Sequence, residues 1–334
     1  YYLALGDVTI GSLDAGAGYV AVTAGGNILD AQNDLVGHDG DGFAVQQGGD
    51  RVVNITAAGA RLVAGGWIGQ GQAELNNANN DYGNPLDLEV ETLAAQAGES
   101  IYLYESDDLD INQVAVTVRQ AYLDSNSDLI ELAALEGVRA GLNQTDGSGH
   151  AKIETIDGDL EVNDPIEAYY DVVLVANGAG HNVEIYDTVT SLTGSITVLA
   201  YDSVNQYAGG DLTAAESIYV RAFNGSIVMD AGAVSTTQVG NIFYHADAVD
   251  DVGDEHDVVV GQLNAMDGAV AVTAYRNILD AQDDLVGHDA AGFADPQGDP
   301  RVVNILAEGA RLVAGGWIGE GQAELNNANN DYGN

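Results

Sequence analysis

Three clusters of acidic residues are the most conspicuous candidates for chemistry in this sequence. Ca²⁺ binds carboxylate and carbonyl oxygens in flexible loops, so loops dense in aspartate are plausible ligand sources. The sequence therefore predicts Ca²⁺ as the cofactor of one or more of these loops, with solvated turns as the alternative. The candidate ligands are Asp39, Asp41, Asp107, Asp108, Asp110, Asp250, Asp251 and Asp254.

Basic residues among carboxylates are the second candidate chemistry. A β-helix enzyme that cleaves polysaccharides needs carboxylates together with Lys or Arg on one outer face. The candidates are Arg51 and Arg61, their duplicates Arg301 and Arg311, and Lys152. A duplicated pair of arginines fits better as charge-assisted hydrogen bonds to neighbouring carboxylates. We therefore predict no catalytic residue and favour a protein that is not an enzyme.

An asparagine-rich run, 74–84, is the third candidate and recurs unchanged at 324–334. Stacked asparagines form hydrogen-bonded ladders, and exposed amides beside an aromatic ring also bind carbohydrate or another subunit. Both readings stay open. The residues of this predicted contact loop are Asn76, Asn77, Asn79, Asn80 and Tyr82.

The composition excludes several classes of function. The 334 residues include 52 acidic and 9 basic side chains, a formal net charge of −43, which excludes nucleic acid as a partner. Repulsion of this size needs salt screening or bound cations and indicates an extracellular or cell-surface location. The chain has no cysteine, so thiol catalysis and cysteine-based metal sites are absent. No apolar run approaches the ~20 residues of a membrane-spanning helix, so we predict no membrane insertion.

A long internal repeat organises the chain. Residues 20–84 recur at 270–334 with an offset of 250, and 53 of the 65 aligned positions are identical. An enzyme rarely needs the same surface twice, whereas a filament, stalk or adhesive surface does. We interpret residues 1–334 as one continuous segment of a longer tandem array.

A shorter pattern, x-[Ile/Val]-x-[Val/Leu/Tyr]-x-Ala, lies inside the long repeat. Its alternation of apolar and variable positions predicts β-strands. Five consecutive matches from Asp171 onward begin 24, 22, 24 and 28 residues apart, with turn-forming residues between them. The matches are Tyr19-VAVTA, Val52-VNITA, Leu129-IELAA, Asp171-VVLVA, Ser195-ITVLA, Ser217-IYVRA, Asn241-IFYHA and Ala269-VAVTA.

This period distinguishes two all-β architectures. Immunoglobulin-like sandwiches need about 80–100 residues for each module, whereas a coil of a parallel β-helix needs about 20–25. We therefore predict a single elongated parallel β-helix with coils of about 20–28 residues, with tandem β-sandwiches as the alternative. About eleven coils would fit into 250 residues and advance roughly 50 Å along the axis.

The β-helix prediction implies that like side chains stack over one another inside the coil. The first predicted inward column is Ile196, Ile218, Ile242 and Val270; the second is Val198, Val220, Tyr244 and Val272; the third is Ala200, Ala222, Ala246 and Ala274. Alanine suits a corner where the wall bends and space is short.

The segment GSITVLAYDSVNQYAGGDLTAAESIYVRAFNGSIVMDAGAV, residues 194–234, resembles the G-x-I-x-[LV]-x-A repeats of filamentous-haemagglutinin-type adhesins. The resemblance is strongest over 171–281. Those adhesins are giant bacterial surface proteins built as right-handed parallel β-helices, so the resemblance implies a secreted or cell-surface protein involved in adhesion. The sequence departs from the pattern in its uneven coil lengths, its acidity, and insert-like segments at 31–50 and 76–86.

The expected function is therefore mechanical or adhesive. We expect a structural repeat of a secreted or cell-surface fibre that stacks coil on coil into a filament, sheath or stalk. The expected partners are further repeats, end to end or by self-association, and glycans. A glycan-binding adhesin surface and a polysaccharide-processing β-helix enzyme stay open as alternatives.

Overall fold

The computed structural model of the chain describes residues 1–32, 34, 36–46, 51–70, 83–121, 127–143, 149–248, 256–282, 286–288, 294–296 and 302–319. Every regular element in these residues is a β-strand. Most of the strands belong to one sheet of 24 parallel strands. Among the described residues, no helix has the length and apolar character needed to span a membrane.

Long strands dominate the N-terminal part, because a single strand there runs along two sides of the coil. The three longest strands of this part pair in parallel along most of their lengths. The strands of this part are β1 Tyr2–Ala4, β2 Val8–Ile10, β3 Leu13–Ala24, β4 Ile28–Asp30, β5 Val36–His38, β6 Ala44–Gln46, β7 Ile55–Ala64 and β8 Leu86–Ala97.

The central part consists mainly of coils with three short strands each. The strands of this part are β9 Ile101–Glu105, β10 Leu109–Ile111, β11 Val114–Ala121, β12 Ser127–Leu135, β13 Val138–Ala140, β14 Ala151–Thr155, β15 Leu160–Val162, β16 Ile166–Ala168, β17 Val172–Ala176, β18 Val183–Ile185, β19 Val189–Ser191, β20 Ile196–Ala200, β21 Val204–Gln206, β22 Leu212–Ala214, β23 Ile218–Ala222, β24 Ile227–Met229, β25 Val234–Thr237 and β26 Ile242–Ala246.

Long strands return in the C-terminal part, where two of them pair with each other along two sides of the coil. The strands of this part are β27 Val258–Val260, β28 Gln262–Ala274, β29 Ile278–Asp280, β30 Val286–His288, β31 Ala294–Pro296 and β32 Ile305–Ala314.

Each coil lies on the one before it, so strands collect into three parallel stacks. Stack 1 contains β9, β14, β17, β20, β23, β26 and the second halves of β28 and β32. Stack 2 contains β10, β15, β18, β21, β24, β27 and β29. Stack 3 contains β13, β16, β19, β22, β25 and the first halves of β28 and β32. The predicted parallel β-helix is confirmed, because sandwiches would pair their strands antiparallel.

The predicted inward columns form three continuous rows in stack 1. Ile196 pairs with Ile218, Ile218 with Ile242, and Ile242 with Val270, and the second and third rows follow in the same register. All twelve side chains are buried. Because a buried Val or Ile contributes about 1.5–3 kcal/mol, the Ile and Val residues of the first two rows stabilise the fold along the length of the stack.

Tyr244 is the one polar side chain in these rows, and its hydroxyl is satisfied inside the coil. It lies 2.7 Å from Oγ of Ser235 in stack 3 and donates to Oε1 of Gln206 in stack 2, at 2.9 Å. A buried tyrosine needs such partners. The contact ties all three stacks together across successive coils.

A ladder of short polar side chains follows one corner of the coil. At each step a side-chain oxygen accepts a hydrogen bond from the backbone N–H of the corresponding residue in the next coil, over 2.7–3.1 Å. Asp, Asn and Ser suit this position because their short side chains bond to nearby backbone at turns. The ladder consists of Asp108, Asp159, Asn182, Ser203, Ser226, Asp257 and Asn277.

The coil count is lower than the sequence predicted. Val22 and Leu263 are joined by eight pairing steps, through Leu62, Ala95, Val138, Ile166, Val189, Leu212 and Ser235. The expected eleven coils are therefore wrong, because the β5–β6 and β11–β12 segments leave the coil and use up sequence without adding height. At ~4.8 Å for each step, eight coils advance about 40 Å.

The two copies of the long repeat occupy different positions around the axis. Val22 belongs to the row that ends in stack 3, whereas its copy Val272 lies in stack 1. Ile28 leads through Ile68 to stack 1, whereas its copy Ile278 lies in stack 2. The 250-residue unit is thus not a whole number of coils, and the copies of Val22 and Ile28 each lie one stack further on.

Two antiparallel hairpins leave the coil and pack on its outer wall. The β5–β6 hairpin lies over stack 1, where Phe43 contacts Phe223 with ring centroids 4.6 Å apart. The β11–β12 hairpin buries Val114 and Val116 against Ala21 and Ala94. The first hairpin lies within the insert-like segment 31–50, and β30–β31 repeats its antiparallel pairing in the copy.

Candidate functional site

The first predicted calcium loop is used for other contacts. Oδ1 of Asp39 accepts backbone hydrogen bonds from Asp41, Gly42 and Phe43 at 2.9–3.0 Å, which closes the turn of the β5–β6 hairpin. Asp41 lies 3.3 Å from a guanidinium nitrogen of Arg221 in stack 1. These two aspartates therefore anchor the hairpin to the wall, and their carboxylates are directed to different partners.

The second predicted loop lies at an open acidic cleft of about 230 Å³. Asp107, Asp108 and Asp110 line it together with Glu91 and Glu161. Asp110 pairs in register with Glu161, so like charges stack on adjacent coils. Partial burial raises the pKa of Glu161, and Asp110 is among the neighbours that raise it further.

The remaining predicted site residues lie outside the described residues. They are Asp250, Asp251 and Asp254 of the third acidic cluster, and Asn76, Asn77, Asn79, Asn80 and Tyr82 of the asparagine-rich run.

A different group of carboxylates comes together inside the fold. Asp30 is the last residue of β4, Asp34 precedes β5, and Asp87 is the second residue of β8. These three residues are 8%, 3% and 0% exposed, and one oxygen of each lies within 4.8 Å of the others. In the described part of the chain, this is the only group of three or more such ligands. We call it the aspartate cluster.

Each member of the aspartate cluster uses one carboxylate oxygen to hold the chain. Oδ1 of Asp30 accepts from Nδ2 of Asn54 at 2.5 Å, and Oδ2 of Asp34 accepts from the backbone N–H of Val52 at 2.7 Å. Oδ1 of Asp87 forms an ion pair with Nε of Arg51. One oxygen of each carboxylate therefore holds the neighbouring chain segments in place.

The other half of each carboxylate has no hydrogen-bond partner among the described residues. These buried oxygens are Oδ2 of Asp30, Oδ1 of Asp34 and Oδ2 of Asp87. Burial raises the pKa of Asp87 to about 7; Arg51 opposes this shift, while Asp34 and Asp30 add to it. Burial also raises the pKa of Asp30. The cluster thus concentrates negative charge where water is excluded.

The copied sequence preserves much of the aspartate cluster. Asn304 donates to Oδ1 of Asp280 at 2.6 Å, and the backbone N–H of Gln282 donates to the same oxygen at 2.8 Å. These contacts repeat those of Asn54 and Gln32 with Asp30. Asp34 and Arg51 also have identical residues in the copy, at 284 and 301, whereas Asp41 is replaced by alanine at 291.

The aspartate cluster is not visible as a run of acids in the sequence, because Asp87 lies more than fifty residues from Asp30 and Asp34. The coil instead brings Asp30 and Asp87 together from separate turns. Retention in the copy was the available signal, because it separates Asp30, Asp34 and Asn54 from acidic residues that the second copy has lost.

A second buried polar group lies beneath the β5–β6 hairpin. Glu154 accepts from the hydroxyl of Tyr104 at 2.8 Å and from the backbone N–H of Ala44 at 2.7 Å, and it lies 3.4 Å from Nζ of Lys152. Burial lowers the pKa of Lys152. Burial opposes ionisation of Glu154, but Lys152 and His38 hold its pKa below the usual value. The group is a saturated network that fastens the hairpin to stack 1.

Two of the arginines considered for catalysis, Arg51 and Arg61, have structural contacts, and Arg301 lies outside the described residues. Besides Asp87, Arg51 donates to Oγ of Ser106 at 3.1 Å. Nε of Arg61 donates to the carbonyl of Ala133 in the β11–β12 hairpin at 3.0 Å. Arg51 thus links coils, and Arg61 anchors a hairpin.

An open groove of about 590 Å³ follows the outer surface of stack 2. Asn182, Asp202, Asn205 and Asp257 line it together with Arg276, whose Nε lies 4.0 Å from Oδ1 of Asp257. Amides and carboxylates beside a guanidinium can hydrogen-bond the hydroxyls of a carbohydrate.

Comparison with known proteins does not add a family to these observations. No model of a protein family, no curated protein and no solved structure matches this chain.

Proposed function

We propose that this chain is a non-enzymatic structural segment of a secreted or cell-surface fibre, of the filamentous-haemagglutinin type that its sequence resembles. The observation that carries the proposal is that described strands from two nearly identical segments belong to one continuous parallel sheet. A repeat that continues the hydrogen bonding of its predecessor adds length and leaves no open edges between units.

The charge distribution supports an extracellular site of action. Outward carboxylates stack in register on stack 2, where Asp110 pairs with Glu161 and Glu161 with Glu184. Like charges directly opposite each other in a sheet are destabilising. Salt or divalent cations reduce this repulsion, so a fibre of this kind gains stability in a medium that supplies them.

Electron microscopy of the native material, with and without a chelator, tests the fibre. The proposal expects thin fibres whose length exceeds that of one chain, and fraying or shortening when divalent ions are removed. Isolated particles of single-chain size under both conditions would exclude a filament.

Glycan binding is the second candidate function, favoured by the groove along stack 2. Its ligands would be carbohydrates that contact Asn182, Asn205 and Arg276. Binding to immobilised glycans that is lost in Arg276→Ala and retained in Arg139→Ala would support an adhesive surface. Release of cleaved sugar that depends on Arg276 would instead indicate a polysaccharide-processing enzyme and contradict our choice.

A further inference from the structure

The aspartate cluster has the composition and charge of a buried divalent-cation site. Three carboxylates contribute three negative charges, and Arg51 compensates one of them. Two negative charges are left in a region shielded from water. Because unpaired buried charge is strongly unfavourable, a group of this kind is normally neutralised by a cation or by protons.

The free oxygens supply the second, independent observation. Asp30, Asp34 and Asp87 are all more than nine-tenths buried, and each retains an oxygen without a hydrogen-bond partner among the described residues. Unsatisfied buried acceptors are rare in folded proteins and each requires an explanation. Three of them in a single cluster are explained together by one ligand that accepts electron pairs.

We propose that Asp30, Asp34 and Asp87 bind one Ca²⁺ ion that clamps the end of β4 and the start of β5 onto β8. Oxygens around a Ca²⁺ ion lie about 2.3–2.6 Å from it, and thus up to about 5 Å from one another, which accommodates the 4.8 Å spread of the cluster. Mg²⁺ fits less well, because it gives up its water shell reluctantly and demands a near-ideal octahedron.

The contacts to backbone and to Asn54 prepare the cluster for the ion. Asn54 holds Asp30, the N–H of Val52 holds Asp34, and Arg51 holds Asp87, so each carboxylate is oriented before the ion arrives. Partners that orient metal ligands in this way increase the affinity of the site. The site does not depend on the proposed fibre, since it lies within one chain.

Calorimetric titration of the full chain with Ca²⁺ tests the site, in ~0.15 M salt to suppress diffuse binding to surface carboxylates. The informative variant is Asp34→Asn, which preserves the shape and can still accept from Val52. We expect it to bind about tenfold more weakly or worse. Glu89→Gln is the matched control, because it removes one exposed carboxylate from the same strand as Asp87. Equal affinities of wild type and Asp34→Asn, or an equal loss in the control, would refute the site.

Thermal unfolding gives a readout that does not depend on titration heats. In chelator, Asp34→Asn should unfold at the same temperature as wild type or higher, because it removes uncompensated charge. Added Ca²⁺ should raise the Tm of wild type by more than that of the variant, and by more than equal Mg²⁺ does. Equal shifts in both proteins, or with both ions, would mean that general screening acts on the surface and that the cluster is held by protons.

Discussion

The side-chain amide of Asn54 donates a 2.5 Å hydrogen bond to the carboxylate of Asp30 and a 3.1 Å hydrogen bond to the carbonyl of Ile10 in the preceding coil. Oδ1 of Asn54 also accepts from the backbone N–H of Asp87 in the following coil, at 2.8 Å. One fully buried side chain thus connects three successive levels of the fold. Its position explains why the aspartate cluster has a fixed geometry.

Replacing Asn54 should therefore cost more than an average surface change. Asn54→Ala leaves the N–H of Asp87 without its acceptor and removes one of the two donors to Oδ1 of Asp30, and we expect a loss of roughly 2–4 kcal/mol in the free energy of unfolding. Denaturant titration measures it. Asn304→Ala, the same change at the half-buried copy, is the control and should cost less. Equal losses would show that burial does not govern the contribution of this contact.

The β5–β6 hairpin should detach from the wall without unfolding the coil. Phe43 is 7% exposed and packs against Phe223, Val173 and Leu199, so Phe43→Ala removes the main apolar contact of the hairpin. We expect faster proteolysis within 36–46 and unchanged hydrogen exchange in the central coils. Val45→Ala, at an exposed position of the same hairpin, should behave like wild type. Simultaneous loss of protection in β17 and β20 would mean that the hairpin is part of one cooperative unit.

Glu105 should make the fold less stable as the pH rises. It is fully buried, and burial raises its pKa to about 9 from an ordinary value of 4.5. The folded state holds the proton of Glu105 more tightly than the unfolded state does. The contribution of Glu105 to the free energy of unfolding is therefore complete below pH 4.5 and is lost as the pH rises through 9. By pH 7 the loss amounts to about 3 kcal/mol.

Glu105→Gln should abolish this part of the pH dependence. The amide oxygen can still accept from the backbone N–H groups of Val90 and Ser106, as the carboxylate does at 3.1 and 2.8 Å. Denaturant titrations between pH 5 and 9 should show a shallower decline for the variant than for wild type, while exposed Glu89→Gln should follow wild type. Parallel curves for Glu105→Gln and wild type would exclude Glu105 as the titrating group.

The core of this fold could be predicted from local sequence, because a strand that is buried on one side alternates apolar and polar residues. Ile196, Ile218 and Ile242 recur at a nearly constant spacing, and that spacing is the length of one coil. The hairpins could not be predicted in this way. Leu129-IELAA matches the coil pattern equally well, yet it belongs to the antiparallel strand β12 outside the coil. A packed hairpin also has one apolar face, so the alternation is the same in both.

The aspartate cluster could not be predicted from the local sequence either, for a different reason. Asp30 and Asp87 are brought together by the stacking of coils of unequal length, and those lengths depend on segments that leave the wall. Arg51 was expected to bridge neighbouring carboxylates, and its ion pair with Asp87 is such a contact. The spacing along the chain gave no information about which carboxylate it would reach.

The row of paired residues that joins Val22 to Leu263 predicts a distance that can be measured within the chain. Thr23 and Asn264 occupy the same outward column, eight pairing steps apart, so spin labels at these positions should be separated by about 40 Å along the axis. When the label at Thr23 is replaced by one at Thr273, its copy, the distance to Asn264 should differ, because Thr273 lies in stack 1. Pulsed electron–electron distance measurements on the two doubly labelled chains decide the point.

The pair Arg139 and Asn264, five steps apart, calibrates the rise and should give about 24 Å. A separation near 50 Å for Thr23 and Asn264, with the calibration pair unchanged, would restore a count of about eleven coils and overturn the offset between the two copies.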